Sequence, residues 1–162
     1  MRIREHDTEA LAFFLQKFKS HLRLTSNDLD DELMAKLTAA IDSAEHHIGK
    51  TILKSKFKDT LPFSSEVALC RPLLSVDGVK VDDMEVTYET DIFTGTILFD
   101  EGLKGRAVEV TYHAGMPQVP SDIVNAILLI ASSLFANPMD SVETLPKAST
   151  RLLRPYRTYE LL

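Results

Sequence analysis

Residues 107–138, AVEVTYHAGMPQVPSDIVNAILLIASSLFANP, constrain the fold more than any other stretch. Val108, Val110 and Tyr112 alternate with Glu109, Thr111 and His113, the period of two expected of a half-buried strand. Gly115 and Pro117 break the run, and Pro120 stands just before a helical pattern. Ser121 or Asp122 is placed to cap that helix by accepting hydrogen bonds from its free N–H groups. Ile123, Ala126, Ile127, Ile130, Ala131 and Leu134 share one face, while Val124, Leu128 and Leu129 make the opposite face apolar too. Asn137-Pro138 stops the helix, because proline removes a donor and clashes with the preceding turn. A helix apolar nearly all round must be buried on more than one side. With Asn125, Ser132 and Ser133 inside it, it is too short and too polar to span a bilayer, which takes about 20 apolar residues. Two readings fit: the central helix of one core, or a helix between its own domain and a neighbouring subunit.

Composition supports a folded chain. The 162 residues are 44% hydrophobic and 26% charged, enough for an ordinary core and unlike a disordered segment. The N-terminus, MRIREHDTEA, carries charges where a signal peptide needs an apolar run. A lone cysteine, Cys70, excludes an internal disulfide framework, suits a reducing compartment, and reads as a buried structural thiol. The net charge of −6 is unevenly spread. Residues 1–60 hold 10 basic and 10 acidic side chains, and residues 61–146 hold 4 basic and 13 acidic. Lys147, Arg151, Arg154 and Arg157 against Glu160 then leave residues 147–162 at +3. An acidic body with a basic tail disfavours DNA binding over the whole surface and suits copies meeting tail to body.

Before the central stretch, residues 7–19 read as a first helix, with Leu11, Phe14, Leu15 and Phe18 on one face and Phe13 beside it. Residues 20–25 read as a connection with some strand character. Ser26, Asn27 and Asp28 offer caps for a second helix whose acidic first turn suits the helix dipole. Its stripe is Leu29, Leu33, Leu37, Ala40, Ile41, Ala44 and Ile48, and Gly49 is placed to end it. From Thr51 to His113 the spacing of three and four gives way to a spacing of two. Residues 52–57, 66–69, 84–90, 96–99 and 106–113 read as short strands, with Asp77-Gly78 as a tight turn between Val76 and Val79. Residues 139–150 read as a loop, and 151–157 as a short amphipathic turn or helix cut by Pro155. The expected class is α+β: a mainly helical domain with a small antiparallel sheet inserted between the second helix and the C-terminal helix. No repeat or low-complexity linker appears, so one domain is expected over residues 1–162. Its order is an N-terminal helix within 1–20, a helix within 21–50, a β-rich region over 51–115, a helix over 121–137 and a basic tail over 147–162.

No constellation for catalysis stands out. Asp42 and His46 share a helix face, but two ligands do not make a metal site. Asp82-Asp83 and Asp100-Glu101 read as solvated turn acids. Gly95, Gly102 and Gly105 do not form a phosphate loop, and no dinucleotide fingerprint or nucleophile elbow is present. The sequence therefore implies no catalytic residue, no cofactor and no bound metal. An enzyme with a pocket near His113 is the least favoured reading, behind a small non-enzymatic assembly or binding protein of cellular origin.

Four pieces in order carry a resemblance. They are His21-Leu22-Arg23-Leu24 followed by the acidic helix start at residues 27–33; the Ala-rich helix ending Ile48-Gly49-Lys50; and Leu69-Cys70-Arg71-Pro72-Leu73 leading into the sheet. The fourth is Val110-Thr111-Tyr112-His113-Ala114-Gly115 with Val119-Pro120, the following helix and the terminal Leu152-Leu153-Arg154-Pro155-Tyr156-Arg157. Over residues 21–157 the chain resembles the head–tail connector, or adaptor, proteins of long-tailed bacteriophages and prophages. That resemblance implies a structural, non-enzymatic protein closing into a ring, typically of about a dozen copies, through a heterologous interface. The ring would sit beneath the portal protein at the head–tail interface of the virion, after assembly in the host cytoplasm. It would extend the DNA channel, with at most weak DNA contact, and offer a platform to the stopper or tail-completion protein, with no membrane involved. The residues expected at its interfaces are Leu128 and Leu129 of the helix and Leu152, Leu153, Arg154, Tyr156 and Arg157 of the tail. The other reading of that tail is a segment folded back on its own domain.

Overall fold

A computed structural model describes residues 1–137 and 145–158. The chain packs as two compact units, each assembled from separated stretches: residues 1–7 with 53–117, and residues 8–52 with 118 onward. The fold class is α+β, as the switch in periodicity implies.

The helical unit holds α1 (Thr8–Leu22), α2 (Asp30–Ile48), α3 (Ser121–Ala136) and α4 (Lys147–Leu153), the last continued by a 3-10 turn at Arg154–Tyr156. The α2 stripe is as expected: Leu33, Leu37, Ala40, Ile41, Ala44 and Ile48 are all fully buried. Gly49 ends the helix at φ +70°, a left-handed conformation that costs glycine little. Leu29 is the exception, since it is the cap residue and stays exposed. The expected side-chain caps are not used. Asn27 accepts a hydrogen bond from the Lys19 ammonium instead, and Ser26 and Asp28 bond to each other. At α3 the cap position is Pro120, which places Ser121 and Asp122 inside the first turn, where neither side chain makes a capping bond. Residues 20–22 continue α1 instead of forming a strand-like connection. No helix breaker precedes Arg23, whose φ of +58° turns the chain, and Lys19 bridges to Asp30 at 2.7 Å.

The segment expected as a loop over 139–150 divides in two. Residues 138–144 lie outside the described residues, whereas Lys147 to Thr150 are helical, starting just after Pro146. Two buried residues, Ser149 and Leu153, hold α4 in place, and Ser149 Oγ donates to the Pro146 carbonyl at 2.7 Å. Helix α3 packs against α1, α2 and α4, which accounts for its breadth of apolar surface.

The β unit contains two antiparallel sheets where one was expected. The larger has the order β1-β2-β8-β4-β5, from β1 (Arg2–His6), β2 (Ser55–Pro62), β4 (Leu73–Val81), β5 (Met84–Glu85) and β8 (Ala107–Ala114). The smaller has the order β3-β7-β6, from β3 (Glu66–Ala68), β6 (Tyr88–Asp91) and β7 (Thr96–Phe99). One core of buried residues joins them, drawing Phe57, Val79, Val110 and Tyr112 from the first and Val67, Ile97 and Phe99 from the second. Residues 2–6 are strand, not the start of the first helix, which begins at Thr8. Asp77-Gly78 is not a turn but lies inside β4, where the pairing with β8 shifts between Val76 and Gly78. The turn comes later, at Asp82-Asp83, both at positive φ, the pattern of a two-residue hairpin. Residues 84–90 form two strands that belong to different sheets.

Candidate functional site

Burial sorts the residues expected to form interfaces. Leu153 is fully buried, and Leu128 is 7% exposed, so the chain's own helical unit covers both. Leu153 offers nothing to a second protein, and Leu128 offers only a small edge of its side chain. Leu129, Leu152 and Tyr156 are half-buried, and Arg154 and Arg157 are exposed. The available surface therefore consists of Leu129 on α3 and four residues around the end of α4. Lys147, Arg151 and Arg154, spaced by four and three, lie exposed along one side of this segment, opposite Ser149 and Leu153. Among the described residues none of these three cations has a carboxylate partner. Such a stripe binds carboxylates or phosphates.

The His113 side chain is 42% exposed. It projects from the outer face of the larger sheet, beside Asp77 at 3.3 Å and Ser75 at 3.4 Å. The three residue types are those of a hydrolytic triad, but both contacts use Nδ1. A relay needs the acid on one ring nitrogen and the nucleophile on the other, so this imidazole cannot pass a proton between them. The same face carries Lys58 paired with Glu109 at 3.0 Å and Lys56 near Asp77 at 3.9 Å, a solvated charge ladder. Asp42 and His46 are exposed on α2, and among the described residues no group of three potential ligands could hold a metal. No helix among the described residues is long and apolar enough to cross a membrane.

The β unit has a buried polar centre. Asp59 is fully buried and accepts both Arg2 Nε and Arg2 Nη2 at 2.7 Å, while the Tyr112 hydroxyl donates to its Oδ2 at 2.7 Å. The Cys70 N–H donates to the same hydroxyl at 3.3 Å, and Tyr112 stacks on Phe57 with centroids 5.3 Å apart. Burial, with contacts to Cys70 and Asp59, pushes the Tyr112 phenol well above its ordinary value of 10.0. Every member of the centre has a partner, as a structural network should. It fastens β1 to the sheet, helped by Arg2 and Arg4 lying over the Phe57 ring.

Two apolar surface features were not anticipated. Phe93, at the tip of the β6–β7 hairpin, is 98% exposed. On the helical unit, α1, α3 and the segment leading into α3 line a groove of about 590 Å³. A phenylalanine between strands reads as core by pattern alone, and only the turn geometry turns Phe93 outward. The one hint is composition: between Lys80 and Lys104 there are seven acidic residues and no basic one.

The fold has solved counterparts. A chain in the neck of the native GTA particle computed with C12 symmetry superposes with a TM-score of 0.76 at 20% identity, covering 100% of this chain and 97% of that one. A chain from the virion of the native gene transfer agent particle gives 0.76 at 21% identity, covering 100% and 97%. This chain has the fold of a gene-transfer-agent neck component. A chain from the neck of the empty particle computed with C6 symmetry gives 0.75 at 20% identity, over 99% and 97%. The match runs the length of the chain, in agreement with the connector resemblance carried by residues 21–157. No family model matches the sequence, and no curated protein is significantly similar to it.

Proposed function

We propose that this protein is a structural component of a virion neck: a head–tail connector that closes into a ring of about a dozen copies. The observation that carries this reading is the full-length match to a chain of a neck computed with C12 symmetry. The ring docks beneath the portal, extends the DNA channel and receives the stopper or tail-completion protein. Its work is binding, not catalysis, and it needs neither cofactor nor metal. The cationic stripe of Lys147, Arg151 and Arg154, with Leu152 and Tyr156 beside it, supports docking of the tail on a neighbouring copy or on the portal. Contact with DNA is secondary, since a few cations give only a modest, salt-sensitive grip. The protein assembles in the host cytoplasm and ends at the head–tail interface. The test is electron microscopy and native mass measurement of the full chain, alone and mixed with its portal. Rings, alone or on the portal, are expected. A chain that stays monomeric in both cases, with the portal intact, would overturn the reading.

A further inference from the structure

The two unanticipated apolar features are complementary. The β6–β7 tip, Ile92 to Gly95, is a fixed structure. Asp91 Oδ1 accepts the N–H groups of Phe93 at 2.9 Å and Thr94 at 3.3 Å, and Gly95 N–H returns to the Asp91 carbonyl at 2.9 Å. On the other side Leu69 N–H donates to the Gly95 carbonyl at 2.8 Å. Gly95 sits at φ +68°, and a Cβ there would lie 2.6 Å from Cγ of Arg71. A tip held this way presents Phe93 and the 54%-exposed Ile92 with little conformational freedom left to lose on binding. Beside it β6 is acidic, with Asp91 next to the tip and Glu89 two residues along, whereas Asp100-Glu101 lie at the far end of the hairpin, past the Tyr88–Phe99 pair.

The groove on the helical unit has the opposite character. Its apolar lining comes from Phe13, Val119, Pro120, Val124 and Leu128, and its single charge is Lys17. Phe13 is 51% exposed yet held in place, edge-on to Phe14 at 5.7 Å and under the Lys17 ammonium at 5.6 Å. Exposed aromatics in two fixed settings, one a knob beside an acidic strand and one beside a cation in a groove, are what a head-to-tail contact requires.

We infer that the β6–β7 hairpin of one copy inserts Phe93 into the α1–α3 groove of the next copy, with Lys17 facing the acidic strand β6 beside the knob. This rests on the ring reading above. It adds the contact by which neighbouring copies engage: each chain carries both knob and groove, so the same contact repeats until the ring closes.

The test places a photo-crosslinking phenylalanine analogue at position 93 of the full chain, irradiated under the conditions used to look for rings. Chain-to-chain products joining position 93 to peptides spanning residues 13–17 or 118–128 are expected. Phe93→Ser, at a solvent-exposed position, is expected to raise the concentration needed for assembly about tenfold or more while leaving the melting temperature unchanged. Lys17→Glu should weaken assembly in the same direction. Rings whose position 93 crosslinks to the portal, to other parts of the chain, within its own chain or to nothing would overturn the hairpin contact and leave the ring reading standing. Absence of any assembly, with or without portal, would overturn both.

Discussion

Tyr112 shows what one residue can disclose and what it hides. Its place in an alternating strand marked it as inward-facing, and it is fully buried. Nothing in the sequence paired it with Asp59 or Arg2, because those positions lie 53 and 57 residues from their partners in this network. The pairing has a measurable consequence. A phenol whose folded value is raised is more favourable to folding when neutral. Its contribution is fully present below about pH 10 and is lost as the pH rises above that, when the unfolded chain can ionise and the folded one resists. Tyr112→Phe should therefore lower stability at pH 7 by about 1–3 kcal/mol, the cost of leaving Asp59 and the Cys70 N–H short of a partner. It should also flatten the loss of stability between neutral pH and alkaline solution. Denaturant melts at pH 7 and pH 10.5 read both effects, and equal slopes with pH in the two proteins would exclude this role. His113 shows the reverse case: a pocket near it was one reading of the sequence, but its place within β8 puts it on the solvated face.

At the scale of elements, periodicity was a good guide wherever one side of an element met the core. Helices α2 and α3 follow their stripes closely, as does β8, whose burial alternates along its whole length. It was a poor guide to short elements fixed by distant contacts. The strand β1 has two arginines and two other ionisable residues among five, and it exists because Asp59 and Phe57 receive those arginines. Helix α4 is only seven residues long, below the length at which helix propensity alone sustains a helix, and depends on packing against α3. The breadth of α3's apolar surface left its use open, and burial now separates its positions. Ile127→Asp should unfold the helical unit, since an unpaired buried charge costs several kcal/mol, of the order of a domain's whole stability. Leu128→Asp should do nearly the same. Leu129→Asp, at a half-buried position, should give a folded protein with impaired assembly. Circular dichroism with size-exclusion chromatography distinguishes the outcomes. Unfolding by Leu129→Asp would assign that side of α3 to the core as well.

For the whole molecule, the sequence disclosed the class and the connector-like order of parts, but not the division into two units. Each unit draws on two separated stretches, and that kind of long-range pairing leaves no local trace in spacing or composition. The tail is where this matters for function. Its composition alone, apolar residues with arginines, fitted an arm reaching for another protein. The structure divides it by side: Ser149 and Leu153 face inward, while Lys147, Arg151 and Arg154 face outward, and Thr158 N–H donates to the Ile48 carbonyl at 2.8 Å. One side of the segment thus serves its own unit and the other is open to the partner proposed above, and the two roles would respond to different changes. Removing residues 148–162 takes Leu153 out of the core and uncovers α3, so the truncated protein should be destabilised or insoluble. Arg151→Glu with Arg154→Glu leaves the buried side intact, so the melting temperature should stay within a few degrees. Those charges are exposed, so their attraction to an acidic partner is screened by salt, with a Debye length of about 10 Å at 0.1 M and about 3 Å at 1 M. Assembly of the unaltered protein should weaken between these salt concentrations. The double variant should assemble poorly at low salt and lose most of the salt dependence. Sedimentation at both salt concentrations measures this, and a variant that assembles as well as the parent at low salt would remove the cationic stripe from the interface.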